Sequence, residues 1–118
     1  MNTYDAPARR SELRSGYRDL HKLLPDQMRG FGDLHRSAMA DGALTTAHKE
    51  LIALAIGISD GCADCVTLHT HDALRAGATR EEIGEAIGVA VMMGGGPATT
   101  VATTAVAALD QFEAAART

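Results

Sequence analysis

The chain has 118 residues, the length of one domain, and 46% of them are hydrophobic although only 3% are aromatic. We therefore predict a single domain over 1–118 that buries further apolar area by associating with its own copies. A net charge of −4 argues against a nucleic-acid partner. The absence of any membrane-spanning apolar run or signal-peptide pattern predicts no membrane contact and a cytoplasmic location.

Apolar residues recur at helical spacing in the first third of the chain and predict two helices. The first spans about 8–24, and the second begins at a proline and spans 25–39. The second helix offers these apolar side chains for burial: Met28, Phe31, Leu34 and Met39. Arginines of the first helix alternate with acidic residues, and we interpret them as a solvated face: Arg9, Arg10, Arg14 and Arg18.

The remainder of the chain predicts four more helices and no strand, so the fold class is all-α with about six helices. The third, capped by Thr45 or Thr46 and running to about 59, is almost wholly apolar in its second half and should be central. Asp60 is predicted to cap the fourth helix, which ends before Gly77. Thr79 begins a capping box for the fifth helix, and the sixth spans about 97–115.

The only two cysteines, Cys62 and Cys65, lie three positions apart at the start of the predicted fourth helix, and His69 follows. At about 100° per residue, these three side chains share one helical face. Free N–H groups at a helix N-terminus favour thiolates. A facing thiol pair with a neighbouring base predicts thiol–disulfide chemistry, although inert buried thiols and a core histidine remain alternatives.

Glu50 stands at the start of the apolar run in the third helix, one predicted hairpin away from Cys62. A carboxylate in that position should be partly buried, where it could take part in proton transfer. It could equally be a first-turn glutamate favoured by the helix dipole. Asp64 lies between the cysteines, where it can form a hydrogen bond at the helix start or oppose thiolate formation.

Two other kinds of protein would use the same residues differently. Two thiolates and the His69 imidazole could supply three zinc ligands, but the chain has no second cysteine pair to complete such a site. A non-enzymatic redox sensor or assembly module would keep the cysteines without turnover. Met92, Met93 and the glycines that follow them fit close helix packing between subunits or within one chain.

Three segments together resemble the alkylhydroperoxidase D-like branch of the carboxymuconolactone decarboxylase family. The first begins Glu-Leu-Ile at Glu50, the second is Gly-Cys-Ala-Asp-Cys-Val-Thr-Leu-His over 61–69, and the third is Ala-Leu-Arg-Ala-Gly-Ala-Thr-Arg-Glu-Glu-Ile over 73–83. The resemblance covers roughly 44–109. Many members have an aromatic residue or histidine where this chain has Asp64, which cannot join the proton relay in the same way.

The resemblance implies an all-helical trimer or hexamer with its thiols near the subunit interface, no cofactor, and antioxidant peroxidase and disulfide reductase activity. It implies that Cys65, deprotonated through His69 and Glu50, attacks a hydroperoxide substrate, and that Cys62 resolves the sulfenic acid. An external dithiol, such as a lipoyl group or a thioredoxin-like protein, would then reduce the disulfide at Cys62. A redox sensor or partner-specific disulfide carrier is the alternative function.

Overall fold

The computed structural model describes residues 3–118, and all regular structure in that range is helical. The helices are α1 (Ala6–Leu23), α2 (Pro25–Met39), α3 (Thr46–Ser59), α4 (Ala63–Arg75), α5 (Arg80–Gly94) and α6 (Gly96–Ala116). This confirms the predicted all-α class with about six helices. Among the described residues, no helix is both long and apolar enough to cross a membrane.

Local side-chain caps explain where α3 and α5 begin. The hydroxyl of Thr45 accepts a hydrogen bond from the backbone N–H of His48 at 3.2 Å. At α5, the hydroxyl of Thr79 accepts from the N–H of Glu82 at 3.1 Å, and the Glu82 carboxylate accepts from the N–H of Thr79 at 2.8 Å. These bonds form the predicted capping box and satisfy backbone donors that the helix leaves free.

The central element is α3, which packs against α4, α5 and α6, as its apolar sequence predicts. Two fully buried side chains of α3, Leu54 and Ile58, form the centre of the core together with Val66 of α4 and Ile83 of α5. The side of α6 that enters this core is built from small residues: Ala98, Ala102 and Ala105. Small side chains allow the α6 backbone to approach closely. Further along α6, Leu109 joins the same core, and Phe112 is buried in a second cluster with Ala6 and Ala108.

The hairpin of α1 and α2 is packed more loosely, and α2 contributes no buried residue. Met28 and Met39 are partly buried. Phe31 is 60% exposed and Leu34 is 63% exposed, so the expected burial of these two side chains does not occur within the chain. On α5, Met92 and Met93 are exposed as well. These surfaces suit the predicted association of copies, and the trimer or hexamer stays a prediction.

Candidate active site

Cys62 and Cys65 lie at the N-terminal end of α4 and form a disulfide with their Cα atoms 5.2 Å apart. Cys62 is itself the N-cap residue, because its Sγ accepts a hydrogen bond from the backbone N–H of Cys65 at 3.1 Å. The prediction that Asp60 caps α4 is wrong: Asp60 ends α3, and Gly61, with a φ of 74°, turns the chain between the two helices. The Cys62 sulfur therefore lies at the positive end of the α4 dipole.

The start of α4 is held closely against α3. A methyl group at Gly57 would lie 3.2 Å from the Cβ of Cys65, which is tighter than ordinary van der Waals contact. The carbonyl of Gly57 also accepts a hydrogen bond from the backbone N–H of Cys62 at 2.9 Å. A residue with no side chain at this point of α3 thus fixes the position of both cysteines.

Glu50 of α3 and His69 of α4 are joined by a hydrogen bond of 2.8 Å between Oε2 and Nδ1. Glu50 is 3% exposed, so its expected burial is observed, and His69 is partly buried. The hydrogen bond to Glu50 raises the pKa of His69 above its ordinary value of 6.5, although burial of the ring opposes this shift. With Nδ1–H donating to the carboxylate, Nε2 is left to accept a proton.

Cys65 and His69 open onto the same cleft, which has a volume of about 510 Å³ and lies between α1, α2 and α4. The structure thus brings the predicted site residues together: Cys65 of the disulfide shares the cleft with His69, and Glu50 forms a hydrogen bond to the His69 ring. Another cavity of about 540 Å³ is lined by His71 and Phe112 and by neither cysteine. His71 is half-buried, with its ring packed edge-on against Phe112.

Arg9 of α1 holds the carboxylate of Asp64, the residue between the cysteines. Its Nε donates to Oδ1 at 2.9 Å and its Nη2 to Oδ2 at 2.8 Å. This two-point ion pair lowers the pKa of the Asp64 carboxyl group despite partial burial. The side chain of Arg9 is 42% exposed, as a solvated face predicts, but it also forms this ion pair with α4, which the sequence does not predict. Asp64 thus accepts its hydrogen bonds from Arg9 of α1, and Arg9, which also pairs with Glu12, partly offsets the charge of Asp64.

Asp72 lies one turn beyond His69 on α4 and is not among the predicted site residues. One potential metal-ligand atom each from Glu50, His69 and Asp72 lies within 4.8 Å of the others. A cation shared by the Oε2 of Glu50 and the Nδ1 of His69 would replace their hydrogen bond. The spacing of Asp72 three residues after His69 is the sequence signal that could have identified it.

The sequence profile of the carboxymuconolactone decarboxylase family matches residues 25–109. The chain belongs to this family. An uncharacterized protein of Cupriavidus necator is 39% identical over 112 residues, which are 95% of this chain and 99% of the relative. The alkyl hydroperoxide reductase AhpD of Frankia alni is 36% identical over 75 residues, 63% of this chain but only 40% of that protein.

Solved structures of the family share the fold. An apo carboxymuconolactone decarboxylase family protein of Legionella pneumophila superimposes with a TM-score of 0.87 and 36% identity, covering 91% of this chain and 96% of that one. A carboxymuconolactone decarboxylase family protein of Thermotoga maritima is described as having a possible involvement in antioxidative response. It superimposes with a TM-score of 0.81 and 25% identity, covering 90% of this chain and 93% of that one. The family inferred from the motifs is confirmed, and its members are enzymes.

Proposed function

We propose that this protein is a thiol-dependent hydroperoxide and disulfide reductase. One observation carries the proposal: Cys65 of a Cys-x-x-Cys disulfide opens onto a cleft beside a histidine that a buried glutamate orients. A nucleophile, a base and a group that orients the base are the parts that activated-thiol chemistry needs. The relative named alkyl hydroperoxide reductase supports the same chemistry.

Proton transfer comes first in the reduced protein. The Nε2 of His69 accepts the proton of the Cys65 thiol, and the carboxylate of Glu50 stabilises the imidazolium through Nδ1–H. The raised pKa of His69 favours this charged form, and the imidazolium in turn favours the thiolate. Since Arg9 pairs with Asp64, that carboxylate opposes the new negative charge on sulfur less than an unpaired one would.

The thiolate of Cys65 then attacks the terminal oxygen of the hydroperoxide. A sulfur–oxygen bond forms, the O–O bond breaks, and the alkoxide leaves as an alcohol with the proton held by His69. The Cys62 thiol attacks the resulting sulfenic acid, which releases water and forms the disulfide that the structure contains. In total, the cysteine pair loses two electrons and two protons, and the peroxide gains them.

An external dithiol returns the pair to the reduced state. One thiolate of this reductant attacks Cys62, and Cys65 leaves as a thiolate that His69 can protonate. The second thiol of the reductant then displaces Cys62 from the mixed disulfide. The departing Cys62 sulfur is stabilised at the N-terminus of α4, where the N–H of Cys65 already donates to it. A lipoyl group or a thioredoxin-like protein fits this role.

The test is steady-state reduction of tert-butyl hydroperoxide with dihydrolipoamide as the electron donor. Cys65→Ser and Cys62→Ser should each abolish turnover, whereas the exposed change Arg18→Gln should not. Only Cys62→Ser should still consume one equivalent of peroxide and yield a sulfenic acid that dimedone traps. Undiminished turnover in Cys65→Ser would contradict the proposal. A disulfide that cycles with dithiols without peroxide turnover would instead favour the redox sensor or disulfide carrier.

A further inference from the structure

We infer that the cleft at Cys65 selects hydroperoxides that carry a carboxylate on an apolar body. The inference rests on the proposed function and specifies its substrate class. It follows from three features of the cleft: an apolar wall, two arginines that form no ion pair within residues 3–118, and the sulfur of Cys65 on the lining.

The size and lining of the cleft indicate a substrate larger than hydrogen peroxide. Its volume of about 510 Å³ lies within the range of pockets that hold organic ligands. Apolar side chains from all three helices line it: Tyr17, Met28, Phe31 and Leu68. Of these, Met28 and Leu68 are partly buried. A carbon skeleton placed among them would remove apolar surface from water on both sides, which favours alkyl or aryl hydroperoxides.

The same cleft has a positively charged edge. Arg10 and Arg14 lie one turn apart on α1 and both line the cleft, and within residues 3–118 neither forms an ion pair. Arg36 also lines it but is paired with Asp33 on its own helix. Guanidinium groups bind carboxylates with two parallel hydrogen bonds, so Arg10 and Arg14 suit the anionic end of a substrate.

The edge of the cleft formed by Arg10 and Arg14 stays positively charged because the one acidic group on the described lining lies elsewhere, on α4. Asp72 is the one carboxylate on the described lining, and the Nδ1 of His71 contacts its Oδ1 at 2.8 Å. Asp72 lies on α4 with the reactive residues, whereas the two arginines lie on α1. A substrate can therefore place its carboxylate toward α1 and its peroxide toward Cys65.

The ion pair of Arg9 with Asp64 holds α1, and with it the two arginines, against the start of α4. Arg9 directly precedes Arg10, and its two hydrogen bonds connect α1 to the residue between the cysteines. The charged edge is thus held at a fixed position relative to the reactive sulfur. The carboxylate is not changed in the reaction: the peroxide bond is still reduced to an alcohol and water by the cysteine pair.

The first test compares two peroxides that differ by one carboxylate group: cumene hydroperoxide and its 4-carboxy derivative. For the wild type, kcat/KM should be about tenfold higher for the carboxylate, the effect of one well-placed ionic hydrogen bond. The ratio should fall toward one in the double variant Arg10→Gln/Arg14→Gln and at about 0.5 M salt. Arg18→Gln removes an α1 charge that does not line the cleft, and it should retain the wild-type ratio. A wild-type ratio near one would overturn the inference and leave the proposed function standing.

A binding measurement separates the two proposals if neither peroxide is reduced. Calorimetry on the disulfide form should detect 4-isopropylbenzoate binding at least tenfold more tightly than the uncharged 4-isopropylbenzamide. Arg10→Gln/Arg14→Gln should abolish that difference, whereas Arg18→Gln should not. Selective carboxylate binding without turnover would refute the peroxidase while supporting the anion site. Equal binding of acid and amide would refute the anion site.

Discussion

Replacing the buried Glu50 by glutamine tests the part of the mechanism that depends most on geometry. The glutamine side chain is nearly isosteric with glutamate and could still accept a hydrogen bond from the Nδ1–H of His69, so the change removes a charge and leaves the contact. A hydrogen bond to a charged group contributes about 1.5–3 kcal/mol, and a neutral one about 0.5–1.5 kcal/mol. The difference of about 1–1.5 kcal/mol corresponds to roughly one pKa unit.

We therefore expect the pKa of His69 to fall by about one unit in Glu50→Gln. An NMR titration of the imidazole carbons would measure this, with His69 assigned among the five histidines from a His69→Gln sample. The acid limb of the pH–rate profile should move in the opposite direction, to higher pH, because less imidazolium is present to stabilise the Cys65 thiolate. Glu81→Gln, an exposed change on α5, is the matched control.

The same change makes a prediction about stability that does not depend on turnover. Since folding raises the pKa of His69, its protonation stabilises the fold fully below about pH 6.5, and this contribution is lost as the pH rises through the raised value. Urea unfolding should show a wild-type advantage over Glu50→Gln that is about 1 kcal/mol larger at about pH 5.5 than at about pH 8.5. An unchanged His69 pKa, or an equal shift in Glu81→Gln, would refute the reasoning.

Two further changes test how the cysteines are held. Arg9→Gln leaves Asp64, which lies between the cysteines in the sequence, without its Arg9 partner, and an unpaired carboxylate disfavours thiolates. We therefore expect the reduction potential of the cysteine pair to become more negative by up to roughly 30 mV in a glutathione titration. Adding Asp64→Asn in the double variant should restore it. Gly57→Ala inserts a methyl group against the Cβ of Cys65. The free energy of unfolding, measured in urea, should therefore fall by about 1–3 kcal/mol. Unchanged stability and an unchanged peroxidase rate would contradict the close contact.

The parts of this structure that depend on local sequence are predictable. The capping box at Thr79 and the turn at Gly77, with a φ of 101°, involve contacts within a few residues. The sequence predicts Glu50 and His69 as separate candidates, each from its position on a helix. Their hydrogen bond follows from the α3–α4 hairpin, which a short connection makes antiparallel.

The errors concern contacts between distant segments and the ends of elements. Residue type favours Asp60 over Cys62 as the N-cap, but the positive φ of Gly61 places the turn before Cys62, which becomes the cap. The ion pair of Arg9 with Asp64 joins residues 55 positions apart, and no periodic pattern encodes such a pairing. The apolar residues of α2 have the correct helical period, but periodicity does not say which surface they cover.

The region matched by the family profile and the helix that precedes it contribute different parts of the proposed site. The match covers 25–109, which includes the cysteines, Glu50 and His69, so the chemistry of the thiol pair belongs to the part shared with the family. The α1 helix lies before that match, yet it supplies Arg9 to the carboxylate between the cysteines and lines the cleft with Arg10 and Arg14. If these arginines act as inferred, the reaction is a property of the matched region, whereas the choice of substrate is a property of α1. Relatives that share the two cysteines, Glu50 and His69 but lack these arginines would then reduce peroxides without sharing the preference for a carboxylate.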